Sequence, residues 1–273
     1  MDKIKMMEKK AKEIRYHIID AIGTLGVGHI GGCLSVADVL SVLYFGDHMR
    51  VDPKNPKMEG RDRLVISKGH AGPALYAALA LKGFFPMDWL QTLNQPGTNL
   101  PSHCDMNRTP GIDMTAGSLG QGISCAVGIA LGSRLKKDNA TIYCIIGDGE
   151  SQEGQVWEAS MAAGHFKLDN LIVFMDNNKL QIDGYVKDIM DVKDPVDKWS
   201  SFGFYVQFVD GHDVAAIDGA IKKAKTENGG KPSMIILDTV KGKGVPFVID
   251  AAPTNHNMIV TPEQKEQTLK ELA

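Results

Sequence analysis

Nothing in this 273-residue chain is long and apolar enough to lie across a bilayer. The nearest stretch, Ala71 to Leu81, is interrupted by Lys82 well before the roughly 18 to 20 residues a membrane helix needs, so no membrane association is expected. Cysteine is scarce: the four residues, Cys33, Cys104, Cys125 and Cys144, stand singly, without a C-x-x-C pair or metal-ligand spacing. They read as free buried thiols and exclude a disulfide frame or a zinc site. Neither sign of charge dominates, with 30 Lys plus Arg against 33 Asp plus Glu and a net charge of −3, so no nucleic-acid partner is expected. The stretch from Met1 to Arg15 alternates Lys and Glu with Ile and Met and contains neither an apolar h-region nor a cleavage-type site. A reducing, cytoplasmic setting is the expectation, in which the sequons at Asn107 and Asn139 carry no glycan.

What is present is an ordinary globular composition, 43% hydrophobic and 23% charged, with no repeat, low-complexity tract or linker to divide it. One domain over residues 1–273 is expected, with a core of about 15–257 between an N-terminal helix and a short C-terminal helix. Ile4, Met7, Ala11, Ile14, Ile18 and Ala21 recur every three or four residues, which predicts an amphipathic helix ending in the Gly-rich stretch Gly23 to Gly32, with a second helix from near Ser35. Further on, short β-branched runs alternate with helical patterns: Leu64–Ser67, Thr141–Ile146, Leu171–Met175, Tyr205–Val209 and Met234–Val240. That alternation predicts an α/β fold, a mainly parallel sheet with helices on both faces. Ligands of such sheets sit at the carboxyl ends of strands. The loops there are polar or Gly-rich: Lys68-Gly69-His70, Gly147-Asp148-Gly149-Glu150, Asp176-Asn177-Asn178 and Lys241-Gly242-Lys243-Gly244. A long irregular stretch, Gln95 to Gly117, is read as functional or disordered.

Gly26-Val27-Gly28-His29-Ile30-Gly31 matches G-x-G-x-x-G, but a dinucleotide fingerprint needs a preceding strand and here a helical pattern precedes it. A nicotinamide or flavin site is therefore disfavoured. The stronger signal is Gly147-Asp148-Gly149 with Asn178 thirty residues beyond Asp148, on the far side of one helix. Adjacent parallel strands would bring a carboxylate and an amide oxygen together, hard ligands suited to Mg²⁺ with a diphosphate, and the glycines and following helix offer backbone N–H groups. The same residues also suit a tight βα turn with Asp148 and Asn178 as solvated caps. His29, His70, His103 and His256 lie in Gly- or Pro-rich loops where one pocket would collect them, giving a cluster able to hold phosphate or hydroxyl groups and move protons. His17, His48, His165 and His212 are read as surface or structural residues, His212 as part of a turn leading into a helix cap.

Gly28-His29, Ser67-Lys68-Gly69-His70-Ala71, Gly117-Ser118-Leu119-Gly120-Gln121-Gly122, Gly147-Asp148-Gly149 with Asn178, and Val209-Asp210-Gly211-His212 resemble the N-terminal half of transketolase in order and spacing, from about Arg15 to His256. The resemblance implies the diphosphate-binding domain of the thiamine diphosphate-binding fold, with Asp148, Asn178 and the Leu180 carbonyl as ligands of Mg²⁺ (or Ca²⁺ or Mn²⁺ in its place). It places Gly149, His70 and Lys68 against the diphosphate, Gly117, Ser118 and Leu119 against the aminopyrimidine, and Ile182 on the thiazolium wall. His29 and His103 are implied to bind hydroxyls of the ketose donor, and Glu153 and Glu158 match acidic positions near the cofactor at a subunit interface. His256 is implied as a diphosphate or substrate ligand, although Asn255-His256-Asn257 stands where many relatives have Trp-His-Gly.

Full-length transketolases continue into a domain that supplies the glutamate activating the cofactor. The resemblance therefore implies a split enzyme acting on sugar phosphates, a C-terminal partner subunit carrying that glutamate, and a heterotetramer. Deoxyxylulose-phosphate synthase, which shares His29-Ile30-Gly31-Gly32, and a noncatalytic subunit keeping the fold are the competing readings.

Overall fold

The computed structural model describes residues 2–182 and 184–273. Five strands form a wholly parallel sheet: β1 (Arg63–Ile66), β2 (Ile142–Gly147), β3 (Leu171–Asn177), β4 (Tyr205–Asp210) and β5 (Ser233–Asp238), in spatial order β1-β2-β3-β5-β4. Side chains alternate across a strand, so each strand feeds two cores. Tyr143 and Ile145 of β2 face one cluster, whereas Ile142, Cys144 and Ile146 face the other. Helices α1 (Lys3–Leu25), α2 (Ala37–Phe45), α3 (Gly72–Lys82) and α6 (Val214–Thr226) cover the first face. Helices α4 (Gln121–Lys136) and α5 (Gly154–His165) cover the second, where Trp199 is fully buried. The expected α/β architecture is therefore present.

The apolar stripe of α1 is buried as its spacing predicts, from Met7 through Ile14 to Ile22, with Ile4 only partly covered. The helix stops at Gly26, which adopts φ 89° in the left-handed region that glycine enters without strain. Val27–Gly28 then pairs antiparallel with Met258–Ile259, so the G-x-G-x-x-G segment indeed follows a helix. A capping box between Thr261 and Gln264 opens α7 (Pro262–Leu272), the short C-terminal helix, which packs on α1.

Boundaries differ from the sequence reading by a few residues. The second long helix begins at Ala37 after a short turn of helix at Gly31–Leu34, and β3 continues to Asn177, two residues past the apolar run, because backbone pairing to β5 does not require apolar side chains. Of the four thiols, Cys125 is only half-buried; the other three are buried as expected. In register, Gly147 pairs with Asp176 and Asp176 with Leu237. All strand carboxyl ends thereby reach one edge together.

Two helical glycines differ in what surrounds them. A Cβ on Gly164 would stand 1.8 Å from the Phe202 carbonyl oxygen, whereas one on Gly128 meets nothing within 4 Å. Gly164→Ala is expected to lower unfolding stability by about 2 kcal/mol through overpacking, and Gly128→Ala to raise it by about 0.5–1 kcal/mol. Urea denaturation of the two variants checks both signs.

Candidate functional site

The strand-end loops converge on one fully buried carboxylate. Asp176, at the end of β3, accepts hydrogen bonds from Lys68 Nζ (2.5 Å), Ser35 Oγ (2.6 Å), Asn178 Nδ2 (2.8 Å) and Thr239 Oγ1 (2.5 Å). Burial opposes its charge, but the Lys68 ammonium and these donors outweigh that penalty and hold the carboxyl below its usual range. Lys68 Nζ also donates to the Gly32 carbonyl (2.9 Å), so much of its charge is committed to the protein. A carboxylate only accepts, so Asn178 must turn its Nδ2 toward Asp176, leaving Oδ1 as its second polar atom.

Asp148 lies one strand over, after β2. Its Oδ1 accepts from Gly149 N (2.8 Å) and its Oδ2 from Lys179 N (2.5 Å), which ties the two loops across the strand pair. Burial and the neighbouring Asp176 push the Asp148 carboxyl up to about 7, the condition of a buried acid in need of a cation. Beside it, Glu150 is buried and anchors the walls: Oε1 accepts from Gly120 N (2.8 Å) and from Ser67, and Oε2 from Gly147 N (3.0 Å).

Above these acids the four loop histidines come together. Ring centroids of His70 and His256 are 4.8 Å apart, and His29 lies 5.3 Å from His256, 5.5 Å from His70 and 5.4 Å from His103. Burial, Lys68 and the other imidazoles lower His70 to about 2. Burial and Lys241 lower His256 to about 3. His29 and His103 are lowered too, mainly by burial. Lys241 Nζ lies 3.2 Å from His256 Nδ1; an ammonium only donates, so Nδ1 holds the lone pair and Nε2 the proton. The cluster presents neutral imidazoles, hydrogen-bonding groups rather than cations.

These groups line a cleft of about 300 Å³. Among its walls are Lys68, His70, Gly117, Leu119, Gly149 and Glu153, together with Asp148, Asn178, Leu180 and Ile182. Ser118 is not on its wall, since only its neighbours in the 117–119 loop face inward, and Glu158 points to solvent one turn along α5. A Cβ on Gly32 would stand 3.4 Å from Lys68 Nζ and 3.6 Å from His70 Nε2, filling the space that an anion between them needs. Among the described residues no group of three His, Cys, Asp or Glu is placed to hold a metal. Asp148 with amide and main-chain oxygens is a different donor set, of the hard kind that suits Mg²⁺.

The sequence reading missed Asp176, Glu150 and Lys241. Each sits in a strand-end loop already singled out as polar, but only pairing across strands reveals which side chain in the loop turns inward. His212 is also more than a turn residue, being engaged through both ring nitrogens.

Opposed titrations follow from this geometry. Unfolded histidine binds a proton near pH 6.5 while folded His70 does not, so His70 withdraws on the order of 2 kcal/mol of stability between pH 7 and pH 5. Asp148, with its folded pKa raised, returns stability as pH falls through the same window. In Asp148→Asn the urea midpoint is therefore expected to drop more steeply from pH 7 to pH 5 than in the unsubstituted, metal-free chain. Parallel slopes would show that the folded Asp148 carboxyl takes up no proton between pH 7 and pH 5.

Known proteins similar to this chain point to one family. The transketolase thiamine diphosphate binding domain matches residues 6–268. A 6-deoxy-6-sulfo-D-fructose transketolase subunit, SqwG, of Clostridium sp. (strain MSTE9) is 55% identical over 266 residues, spanning 97% of this chain and 96% of its own. One of the subunits of an apulose-4-phosphate transketolase from Phocaeicola vulgatus is 37% identical over 270 residues, spanning 99% and 95%. Rat transketolase is 35% identical over 99% of this chain, which spans 42% of the rat protein. The crystal structure of Campylobacter jejuni transketolase matches with a TM-score of 0.89 at 34% identity, over 98% of this chain and 43% of that one. Fold, cleft and sequence agree, and the chain belongs to the transketolase family, corresponding to its thiamine diphosphate binding domain.

Proposed function

We propose that this chain is the N-terminal subunit of a two-chain transketolase, transferring a two-carbon ketol unit from a ketose phosphate to an aldose phosphate with thiamine diphosphate and Mg²⁺. The observation that carries this reading is the cleft itself, where Asp148 and Asn178 lie under four neutral histidines at the carboxyl edge of the sheet. Asp148, Asn178 Oδ1 and the Leu180 carbonyl would hold the metal, and Gly149, His70 and Lys68 would face the diphosphate. Lys241 and the Nε2–H of His256 add two donors at the same end. When bound, the cofactor supplies a nucleophilic carbon that accepts and releases the two-carbon unit.

The chain's own contribution is positioning. Gly117, Ser118 and Leu119 would meet the aminopyrimidine with backbone groups, and Ile182 would wall the thiazolium. His29 and His103, neutral and mutually adjacent, would hydrogen-bond the hydroxyls of the donor and orient it for attack. Glu153, on the rim, and Glu158, farther out, are placed to meet a second chain. Ile182 is 63% exposed on the same rim, an apolar surface that a partner would cover. That partner is a C-terminal transketolase subunit carrying the activating glutamate, in a cytoplasmic heterotetramer of two copies of each chain. Support comes from relatives named as transketolase subunits, whose lengths this chain spans by 95% or more.

A second reading concerns the donor. The relative at 55% identity is named for 6-deoxy-6-sulfo-D-fructose, which makes a ketose ending in a sulfonate a candidate beside a ketose phosphate.

Asp148→Ala is expected to abolish Mg²⁺-dependent retention of thiamine diphosphate, measured by equilibrium dialysis; unchanged retention would sink the metal assignment. Affinity capture from native extract with the cofactor present is expected to recover a partner of comparable size whose addition yields ketol transfer, assayed with fructose 6-phosphate and with 6-deoxy-6-sulfofructose. Transfer from neither donor by the captured complex would refute the activity.

A further inference from the structure

Behind the diphosphate end of the cleft, outside the residues that line it, lies a second buried polar network. His212 follows β4 and is covered by α2. Its Nδ1 is 2.8 Å from Asp38 Oδ2, and its Nε2 is 2.8 Å from Val240 N. A backbone amide only donates, so Nε2 carries the lone pair and the ring proton sits on Nδ1, donated to Asp38. Asp38 is held in turn by Arg15 of α1, through Nη1 at 3.0 Å and a second, closer contact from Nη2. Burial opposes the Asp38 charge, but the His212 and Arg15 bonds outweigh it and keep the carboxyl below its usual range.

The network grips the loop of residues 239–244 after β5, and Arg15 Nη2 also donates to the Leu34 carbonyl at 3.4 Å. His212 accepts from Val240 N, and Arg15 Nε donates to the Lys243 carbonyl at 3.0 Å. Between these two anchors stands Lys241, whose ammonium meets His256 in the cleft. Val240 itself exposes 43% of its surface, so its side chain does little to fix the loop.

We infer that His212 is a positioning residue for the diphosphate end of the cleft: oriented by Asp38 and Arg15, it fixes the Val240 amide and thereby sets where Lys241 stands. The inference rests on the reading that this cleft takes thiamine diphosphate, and it extends that reading to a chain of contacts reaching back to α1. A residue serving only to satisfy Asp38 would need the Nδ1 bond alone. The Nε2 bond to the loop is what ties it to Lys241.

Two substitutions separate those roles. The amide of His212→Gln reaches the Nε2 position and still accepts from Val240 N, whereas that of His212→Asn reaches only the Nδ1 position and keeps only Asp38. Hydrogen exchange of the 239–244 amides is expected to rise in His212→Asn and His212→Phe and to return toward the unsubstituted rate in His212→Gln. Thiamine diphosphate with Mg²⁺ is expected to bind about tenfold more weakly to the first two variants, the scale of one lost hydrogen bond. In a Lys241→Met background the same His212 substitutions should cost almost nothing further. Loop exchange that is unchanged in His212→Asn, or a loss of affinity that persists in full beside Lys241→Met, would overturn the assignment. If the unsubstituted chain together with its captured partner subunit retains no thiamine diphosphate, the functional reading fails, and the exchange arm still decides whether His212 pins the loop.

Discussion

Asp176 is the point on which the functional edge of the sheet depends. Four loops from separate parts of the chain reach its carboxylate, bringing Lys68, Ser35, Asn178 and Thr239. Withdrawing a carboxylate and an ammonium from water costs several kcal/mol, offset here by their mutual attraction and by three further donors, Ser35 and Asn178 on Oδ2 and Thr239 on Oδ1. The arrangement is therefore stiff: losing Lys68 would leave a buried charge uncompensated. Stiffness at Asp176 orients the Asn178 amide, sets the height of Lys68 beneath Gly32, and joins β3 to the loop after β5.

The electrostatics of the cleft follow from that arrangement. Lys68 is paired with Asp176 while lining the cleft, and Lys241 reaches the histidines through His256. Neutral imidazoles donate and accept hydrogen bonds without adding charge to the cleft. Asp148 stands apart as a buried acid whose hydrogen bonds come from the backbone amides of Gly149 and Lys179. Stabilising this edge and binding a charged cofactor are in this sense the same electrostatic problem, solved first within the protein and completed by the ligand.

Much of this was legible without coordinates. Gly147-Asp148-Gly149 and Asn178 were recognisable because glycine at a strand end and a hard-oxygen side chain one βα unit later are local signals, and the parallel pairing that joins them follows from alternation of strands and helices. The four histidines were recognisable because each lies in a Gly- or Pro-rich loop, although only His70 follows a strand of the parallel sheet. Asp176 was not: it stands near the end of β3, where an acid gives no local cue that Lys68, Ser35 and Thr239, all distant in the chain, will satisfy it. Lys241 was hidden for a related reason, since Lys241 and Lys243 share the same Gly-flanked context and only packing decides which turns into the cleft. His212 looked like a turn residue because its partners, Asp38 and Val240, lie far away along the chain.

By itself, then, the sequence determined the alternating α/β layout, the edge where chemistry belongs and the residue types gathered there, because these depend on periodicity, turn chemistry and short-range spacing. Tertiary structure alone decided which polar side chains are buried, which atoms of Asn178, His212 and His256 donate or accept, and which lysine pairs with Asp176 and which meets His256. Those outcomes depend on distances between residues far apart in the chain, and on the loss of water around them, neither of which local pattern encodes.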